Sequence, residues 1–270
     1  MSTSVLFDAP GPKARRLYAA LAVLGVLVAL VGLWLVLRKM GDAGQLEKDL
    51  WTPFLTAEVW QEYLLPGIWG TLKAAAISMV LAGIFGLVFG MGRLSHLSAV
   101  RWVSSIVVEF FRSVPVLIMM IFSFGVYVDY NVFATEVNPL AAVVTGLTLY
   151  NGSVVAELVR SGVYSLPAGQ AEAARAIGLT FGQTMSQVIL PQAFRGAIAP
   201  LGSTLIALIK NTTVAAIIGN QEAAGQMSEI VENEGSSIGI FLIFALGFVI
   251  LTLPLGLLFT SMSRRLAVKR

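Results

Sequence analysis

The chain contains no cysteine and a single histidine, His96. Disulfides, thiolate metal sites and cysteine nucleophiles are therefore excluded, and one imidazole cannot build a histidine metal cluster. Charge is scarce as well. Asp, Glu, Lys and Arg make up 12% of the 270 residues, against about 25% in a soluble domain. A net charge of +3 is too small to argue for nucleic acid as a partner. No GxxxxGK motif followed by Ser or Thr occurs, so the chain cannot by itself cradle and hydrolyse a nucleoside triphosphate in the usual way. It reads as a protein that is not an enzyme by itself and binds no cofactor of its own.

What fills the sequence instead is apolar. Hydrophobic residues are 57% of the chain, with a mean hydropathy of +0.82, so most of it must face lipid or a bundle interior. Several runs exceed the ~20 residues that cross the hydrocarbon core as a helix. The 26 glycines suit close helix packing in lipid. Residues 1–16 form a polar leader with Lys13, Arg15 and Arg16. Leu17 to Leu37 is a continuous apolar run, long for a signal peptide and without a small-x-small cleavage site after it, and it reads as a retained anchor helix. Residues 38–62 form a hydrophilic link, and Trp51, Trp60 and Tyr63 in and beside it could sit at headgroup level. Further spans are expected near 66–92, 103–128, 138–160, 192–219 and 238–262, with Pro115, Pro200 and Pro254 interrupting three of them. The expected fold is an all-α membrane protein of six spans, divided into an N-terminal part, 1–62, and a five-helix core, 63–270.

Basic residues set the orientation. With the N-terminus in the cytoplasm, Arg93, Arg101, Arg175, Arg195, Arg264, Arg265, Lys269 and Arg270 join the leader inside, while only Arg38, Lys39 and Lys48 fall outside. Asp129, Glu136, Glu222, Glu229, Glu232 and Glu234 then lie on the outer side. Both termini and residues 165–191 are expected in the cytoplasm, with 38–62 and 220–236 outside.

That cytoplasmic stretch holds a polar island of small residues, Gln170 to Pro191. Pro167 and Gly169 open a first short helix, and Ala171, Ala173, Ala174 and Ala176 favour it with almost no side-chain bulk. Gly178 stands where a left-handed residue would stop that helix. Thr180 with Gln183 matches a capping box that would start a second short helix, and Pro191 marks the entry into the next apolar segment. A narrow alanine face flanked by Glu172 and Arg175 is poor core material and suits insertion into a groove of another protein.

Charges within spans are costly unless paired or lining a cavity. Glu109 and Arg112 share a helix face, as do Glu157 and Arg160. Each pair can be a helix clamp or part of a substrate path. Lys210 lies about 22 Å beyond Arg195 at roughly 1.5 Å per residue, inside the apolar slab, followed by Asn211, Thr212 and Thr213. Lys73 can snorkel. Gly83, Gly86 and Gly90 read as packing contacts.

Glu172-Ala173-Ala174, then Gly178, then Val188-Ile189-Leu190-Pro191, resembles the EAA loop of ABC-importer permeases. Glu109-x-x-Arg112-x-x-Pro115, Glu157-x-x-Arg160-Ser-Gly, Pro167-x-Gly169-Gln170, Pro191-Gln192-Ala193 and Lys210-Asn-Thr-Thr follow the order seen in polar amino-acid ABC permeases of type I. Tyr150-Asn-Gly-Ser-Val-Val-Ala-Glu157 looks like the glutamate-type branch. The resemblance implies a permease core with a coupling loop, 165–191, that contacts a separate ATP-binding subunit through Gln170, Glu172, Ala173, Ala174, Gly178 and Pro191. It also implies a substrate path involving Glu109, Arg112, Glu157, Lys210, Asn211 and Thr212. The implied partners are a second permease subunit, two ATP-binding subunits that hold the ATP and Mg, an extracytoplasmic solute-binding protein and membrane lipid, in the plasma membrane of a prokaryote. Two other classes stay open. One is an ion-coupled secondary transporter relaying through Glu109, Glu157 and Lys210, and the other is a non-transporting membrane scaffold.

Overall fold

The computed structural model describes residues 11–219, 223–234 and 237–266. The chain divides into two compact units, Met1–Leu55 and Thr56–Arg270. In the first, α1 (Pro12–Asp42) starts with proline at its first position, where a missing N–H costs nothing, and ends with Lys39 in its last turn. Short 3₁₀ turns at Lys48–Leu50 and Thr52–Leu55 follow. The Trp51 indole N–H donates to the Gln45 carbonyl at 3.0 Å, tying them to the helix end.

The second unit opens with α2 (Ala57–Val59), capped by the Thr56 hydroxyl. A widened π turn at Trp60–Leu64 runs straight into α3 (Leu65–Arg93). The same sequence event recurs later, where a π turn at Thr184–Ile189 precedes α9 (Leu190–Asn211). In both cases the N–H of the leucine after the π turn reaches back five residues, Leu65 to Trp60 and Leu190 to Met185. A proline follows each leucine, Pro66 and Pro191. Proline has no N–H and its ring crowds the carbonyl four residues back, and the wider turn relieves both problems.

One expected span is broken. Residues 103–128 do not form one helix, because α4 (Ser98–Ser113) and α5 (Val116–Asp129) meet at 98°. Val114 and Pro115 between them are both extended, with ψ of 129° and 133°, as the steric clash before a proline favours. Pro200 and Pro254 look no different in the sequence, yet both remain inside unbroken helices, α9 and α11 (Ser237–Leu266). Helix α4 runs back along α3, with the Phe111 ring 6.2 Å from Phe85. Helix α5 carries Met119, Met120 and Ser123 into the core.

The central helix of the second unit is α6 (Asn138–Tyr164), the most buried of the candidate spans, against which α3, α4, α5 and α9 pack. Two of its buried polar residues are bonded within the helix: Asn151 donates to the Leu147 carbonyl at 2.9 Å and Ser153 to that of Leu149 at 2.8 Å. The closest partner of α6 is α3, which lies against it side by side. A Cβ placed on Gly86 would strike the Val155 side chain and lie 3.0 Å from the Gly152 carbonyl. One on Gly90 would lie 2.9 Å from the Cβ of Val159. The expectation that Gly86 and Gly90 are packing residues holds, while Gly83 faces open space. Helix α9 returns antiparallel to α6, placing Ala193 beside Gly162 and bringing Leu208 and Ile209 into one core with Ala142, Val143 and Leu147. A 3₁₀ segment, Thr212–Ile218, leads to α10 (Ala223–Glu234), and α11 then packs on α9.

Among the described residues five helices are long and apolar enough to cross a membrane, and six if the bent α4–α5 pair is counted as one span. The expected outer segment 220–236 includes residues 220–222 and 235–236, and the expected inner end includes Lys269 and Arg270, all outside the described residues. Close packing of α3 on α6 makes one direct prediction. Gly86→Val should lower the stability of the purified chain in detergent by roughly 1–3 kcal/mol, the usual cost of overpacking. Gly83→Val should stay within about 1 kcal/mol. Thermal melts of the two variants check this, and equal losses would remove the close contact.

Candidate functional site: a docking segment and a cluster of five charges

Two groups of residues near the end of α6 are the candidates for function. The first is the segment after it. Pro167 holds an extended conformation and releases α7 (Ala168–Ala176). The helix ends as its composition dictates. Leu179 N–H donates to the Ala174 carbonyl at 3.2 Å and Gly178 N–H to that of Arg175 at 3.0 Å, with Gly178 at a φ of +88°. This is the Schellman pattern, which needs a left-handed residue at the position of Gly178. Thr180 and Gln183 then form the expected capping box. Thr180 N–H donates to Oε1 of Gln183 at 2.9 Å, and Gln183 N–H to the Thr180 hydroxyl at 3.4 Å.

The second short helix differs from expectation. The α8 turn (Phe181–Gln183) does not end before the next span but passes through the π turn into α9 as one continuous rod, Phe181–Ile218. Pro191 is the second residue of α9 as expected, but the helix does not start there, because the π turn before it accommodates its missing N–H. The consequence is that α8 and the span after it belong to one helix. Helix α7 packs against the π turn, and Gln192 of α9 donates to the Gln170 side chain at 3.3 Å. Only Ala174 of α7 is buried, and Gln170, Glu172, Ala173 and Gly178 are exposed. So is Ile177, at 79%, which sequence reading passed over. An apolar residue beside a helix-stopping glycine looks like a core residue until the chain is seen to turn away there.

The second group is ionic. Both i,i+3 pairs expected from the sequence are present, Arg112–Glu109 at 3.3 Å and Arg160–Glu157 at 2.6 Å. They are not separate. Arg93, the last residue of α3, reaches between them with Nη2 at 3.0 Å from Glu109 and Nη1 at 2.9 Å from Glu157. Arg112 adds a 3.8 Å contact to Glu157. Three helices are thereby joined by three guanidiniums and two carboxylates, which leaves one unbalanced positive charge. Arg93 is 9% exposed against 41% for Arg112, and its Nε is buried without a partner. The Arg160 guanidinium also lies over the Tyr164 ring, 5.4 Å from its centroid. Arg93 was read only as a topology marker, since nothing local distinguishes it from any arginine at a span end.

Lys210, Asn211 and Thr212 are not brought to this cluster. Lys210 is exposed in the last turn of α9, while Thr212 is buried and donates its hydroxyl to the Ile209 carbonyl at 2.8 Å. Their neighbours Leu208 and Ile209 share a core with Leu147, and Glu157 lies about 15 Å further along α6 from Leu147 at 1.5 Å per residue. The sequence-derived substrate path is therefore split between two levels of the bundle. No group of His, Asp and Glu among the described residues is arranged to hold a metal ion.

Residues 82–268 match the family described as "Binding-protein-dependent transport system inner membrane component". Two glutamate transport system permease proteins of Corynebacterium glutamicum are similar in sequence. GluD is 38% identical over 227 residues, 84% of this chain and 83% of the relative. GluC is 43% identical over 218 residues, 77% of this chain and 95% of the relative. Among solved structures, an amino acid ABC transporter aligns with a TM-score of 0.68 at 25% identity, covering 74% of this chain and 92% of that one. The MetNI methionine ABC transporter, in an inward-facing conformation, gives 0.68 over 79% of this chain and all of its own, and at 23% identity speaks for the fold alone. A helical chain with five to six candidate spans and an exposed polar segment between two of them thus belongs to the inner membrane components of binding-protein-dependent transport systems, as the membrane permease subunit of an ABC importer.

Proposed function

We propose that this permease imports polar amino acids, of the glutamate type, and that residues 165–191 dock on a separate ATP-binding subunit and carry its movement into the bundle. The observation that carries the reading is the docking segment itself. It exposes Glu172, Ala173 and Ile177 around a glycine-made turn, after which Phe181–Ile218 runs without interruption as a span. Membership of the family brings ATP-binding and substrate-binding partners in general. The finer assembly is a second permease subunit, two ATP-binding subunits that hold ATP and Mg, and an extracytoplasmic solute-binding protein. Both termini and the docking segment lie in the cytoplasm of a prokaryotic cell, with the chain multi-pass in its plasma membrane. ATP binding shifts the population between inward- and outward-facing states through contacts that differ between them.

The ionic cluster is the candidate end of the substrate path. An amino acid needs a cation for its carboxylate and an acceptor for its ammonium group in a low-dielectric cavity. Arg112 fits the first role because it is the most exposed guanidinium of the cluster and is held by its longest contacts, 3.3 and 3.8 Å. Glu157 fits the second. The ion-relay reading is weakened by the same geometry, since Glu109 and Glu157 face arginines and Lys210 lies at another level.

Three measurements follow. Gly178→Val forces a branched residue into a left-handed backbone, and Glu172→Lys reverses the charge offered to the partner. Both variants should reach the membrane in normal amount, with Gly178→Val lowering uptake about tenfold or more, as a strain of one to a few kcal/mol allows. Wild-type uptake with wild-type stimulated ATPase in both would remove the segment from the mechanism. Arg112→Gln should raise the transport KM while the complex still assembles; unchanged transport with lower detergent stability would make Arg112 a helix clamp. For topology, Thr180→Cys should resist an impermeant thiol reagent in intact cells, and Asn131→Cys, in the α5–α6 loop, should react. The reverse pattern would invert the orientation.

A further inference from the structure

The lone histidine belongs to none of the motifs above. It sits in the short turn between α3 and α4, three residues beyond Arg93. Its imidazole packs edge-on against Phe181, with ring centroids 4.0 Å apart and planes at 63°. Such aromatic pairs attract beyond the area they bury. Phe181 is the first residue of α8, directly after the glycine break and the capping threonine. The contact therefore joins the docking segment to a different part of the bundle from the one it continues into.

The turn that carries His96 is braced. Leu94 and Ser95 N–H groups donate to the Met91 and Gly92 carbonyls at 3.0 and 3.2 Å. Arg101 donates to the Ser95 carbonyl at 2.9 Å, and the Ser95 hydroxyl accepts from Leu97 N–H at 3.2 Å. A braced turn moves as a body. On its far side is Arg93, bonded to Glu109 of α4 and Glu157 of α6.

We propose that the His96–Phe181 contact is the link through which displacement of the docking segment reaches the Arg93 cluster, making both rings positioning residues for transport. Displacement then acts on the bundle at two points, through α8 into α9 and through His96 into the α3–α4 turn. The second point moves the residue that holds three helices by their charges. This rests on the reading of residues 165–191 as the docking segment.

The test uses the whole transporter in membrane vesicles with its ATP-binding subunits and binding protein. Uptake of labelled L-glutamate, or L-glutamine if the wild type prefers it, is measured per ATP hydrolysed. His96→Ala should leave basal ATP hydrolysis and recovery of the ATP-binding subunit unchanged but lower uptake per ATP about two- to tenfold, the range an aromatic pair supports. Phe181→Ala should lower the same ratio, and the double variant should lose no more than the worse single one, since the two residues act as a pair. His96→Phe, which keeps a ring, should restore the ratio. An unchanged ratio in both single variants, additive losses, or no rescue by His96→Phe would overturn the proposal. Gly178→Val serves as the control. If it uncouples transport while His96→Ala does not, only the ring contact falls; if it too leaves uptake intact, the docking reading itself falls.

Discussion

How closely α3 approaches α6 decides the rest of the second unit. Gly86 and Gly90 leave no room for a side chain against Gly152, Val155, Ala156 and Val159. In lipid there is no hydrophobic drive between helices, so contact of this kind, backbone against small side chain, supplies the attraction. It also sets the level at which Arg93 leaves α3. From there the guanidinium meets carboxylates on two other helices, 16 and 64 residues further along the chain. A charge held this way is expensive to leave unpaired, so the cluster and the glycine contact depend on each other.

The features that could be read in the sequence are those whose cause is local. Gly178 and the capping pair Thr180 and Gln183 are written within a few residues, and the structure forms both as expected. The i,i+3 ion pairs follow from helix geometry alone. Pro115, Pro200 and Pro254 show the limit. All three are visible, but only the first breaks its helix, because whether a kinked helix survives is decided by what its neighbours supply. The π turns before Pro66 and Pro191 belong to the same class, and so does the continuity of α8 with α9. Arg93 was not legible at all, since its partners are set by tertiary packing. Depth along one helix does not reveal that Lys210 lies at the level of Leu147, away from the Arg93 cluster, since its neighbours Leu208 and Ile209 share a core with Leu147.

On the proposed reading, these elements act as a lever arm and a latch. The arm is the exposed segment around Gly178, whose second part, from Phe181, continues into α9 as one rod. The latch is the set of charges that ties α3, α4 and α6 at the same end of the bundle. An importer needs both a surface that receives work from a separate ATPase and a bundle with two arrangements to choose between. Interfaces built from discrete contacts are suited to such switching because they repack between states instead of deforming smoothly.

The central claim is that the segment around Gly178 meets the ATP-binding subunit, and contact mapping tests it most directly. The absence of native cysteine allows a photoreactive maleimide to be placed at Ala173→Cys, Ile177→Cys and, as a control, Asn131→Cys in native membranes. Illumination should give adducts with the ATP-binding subunit from positions 173 and 177 and none from 131. Adducts from 131 with none from 173 or 177 would contradict the account.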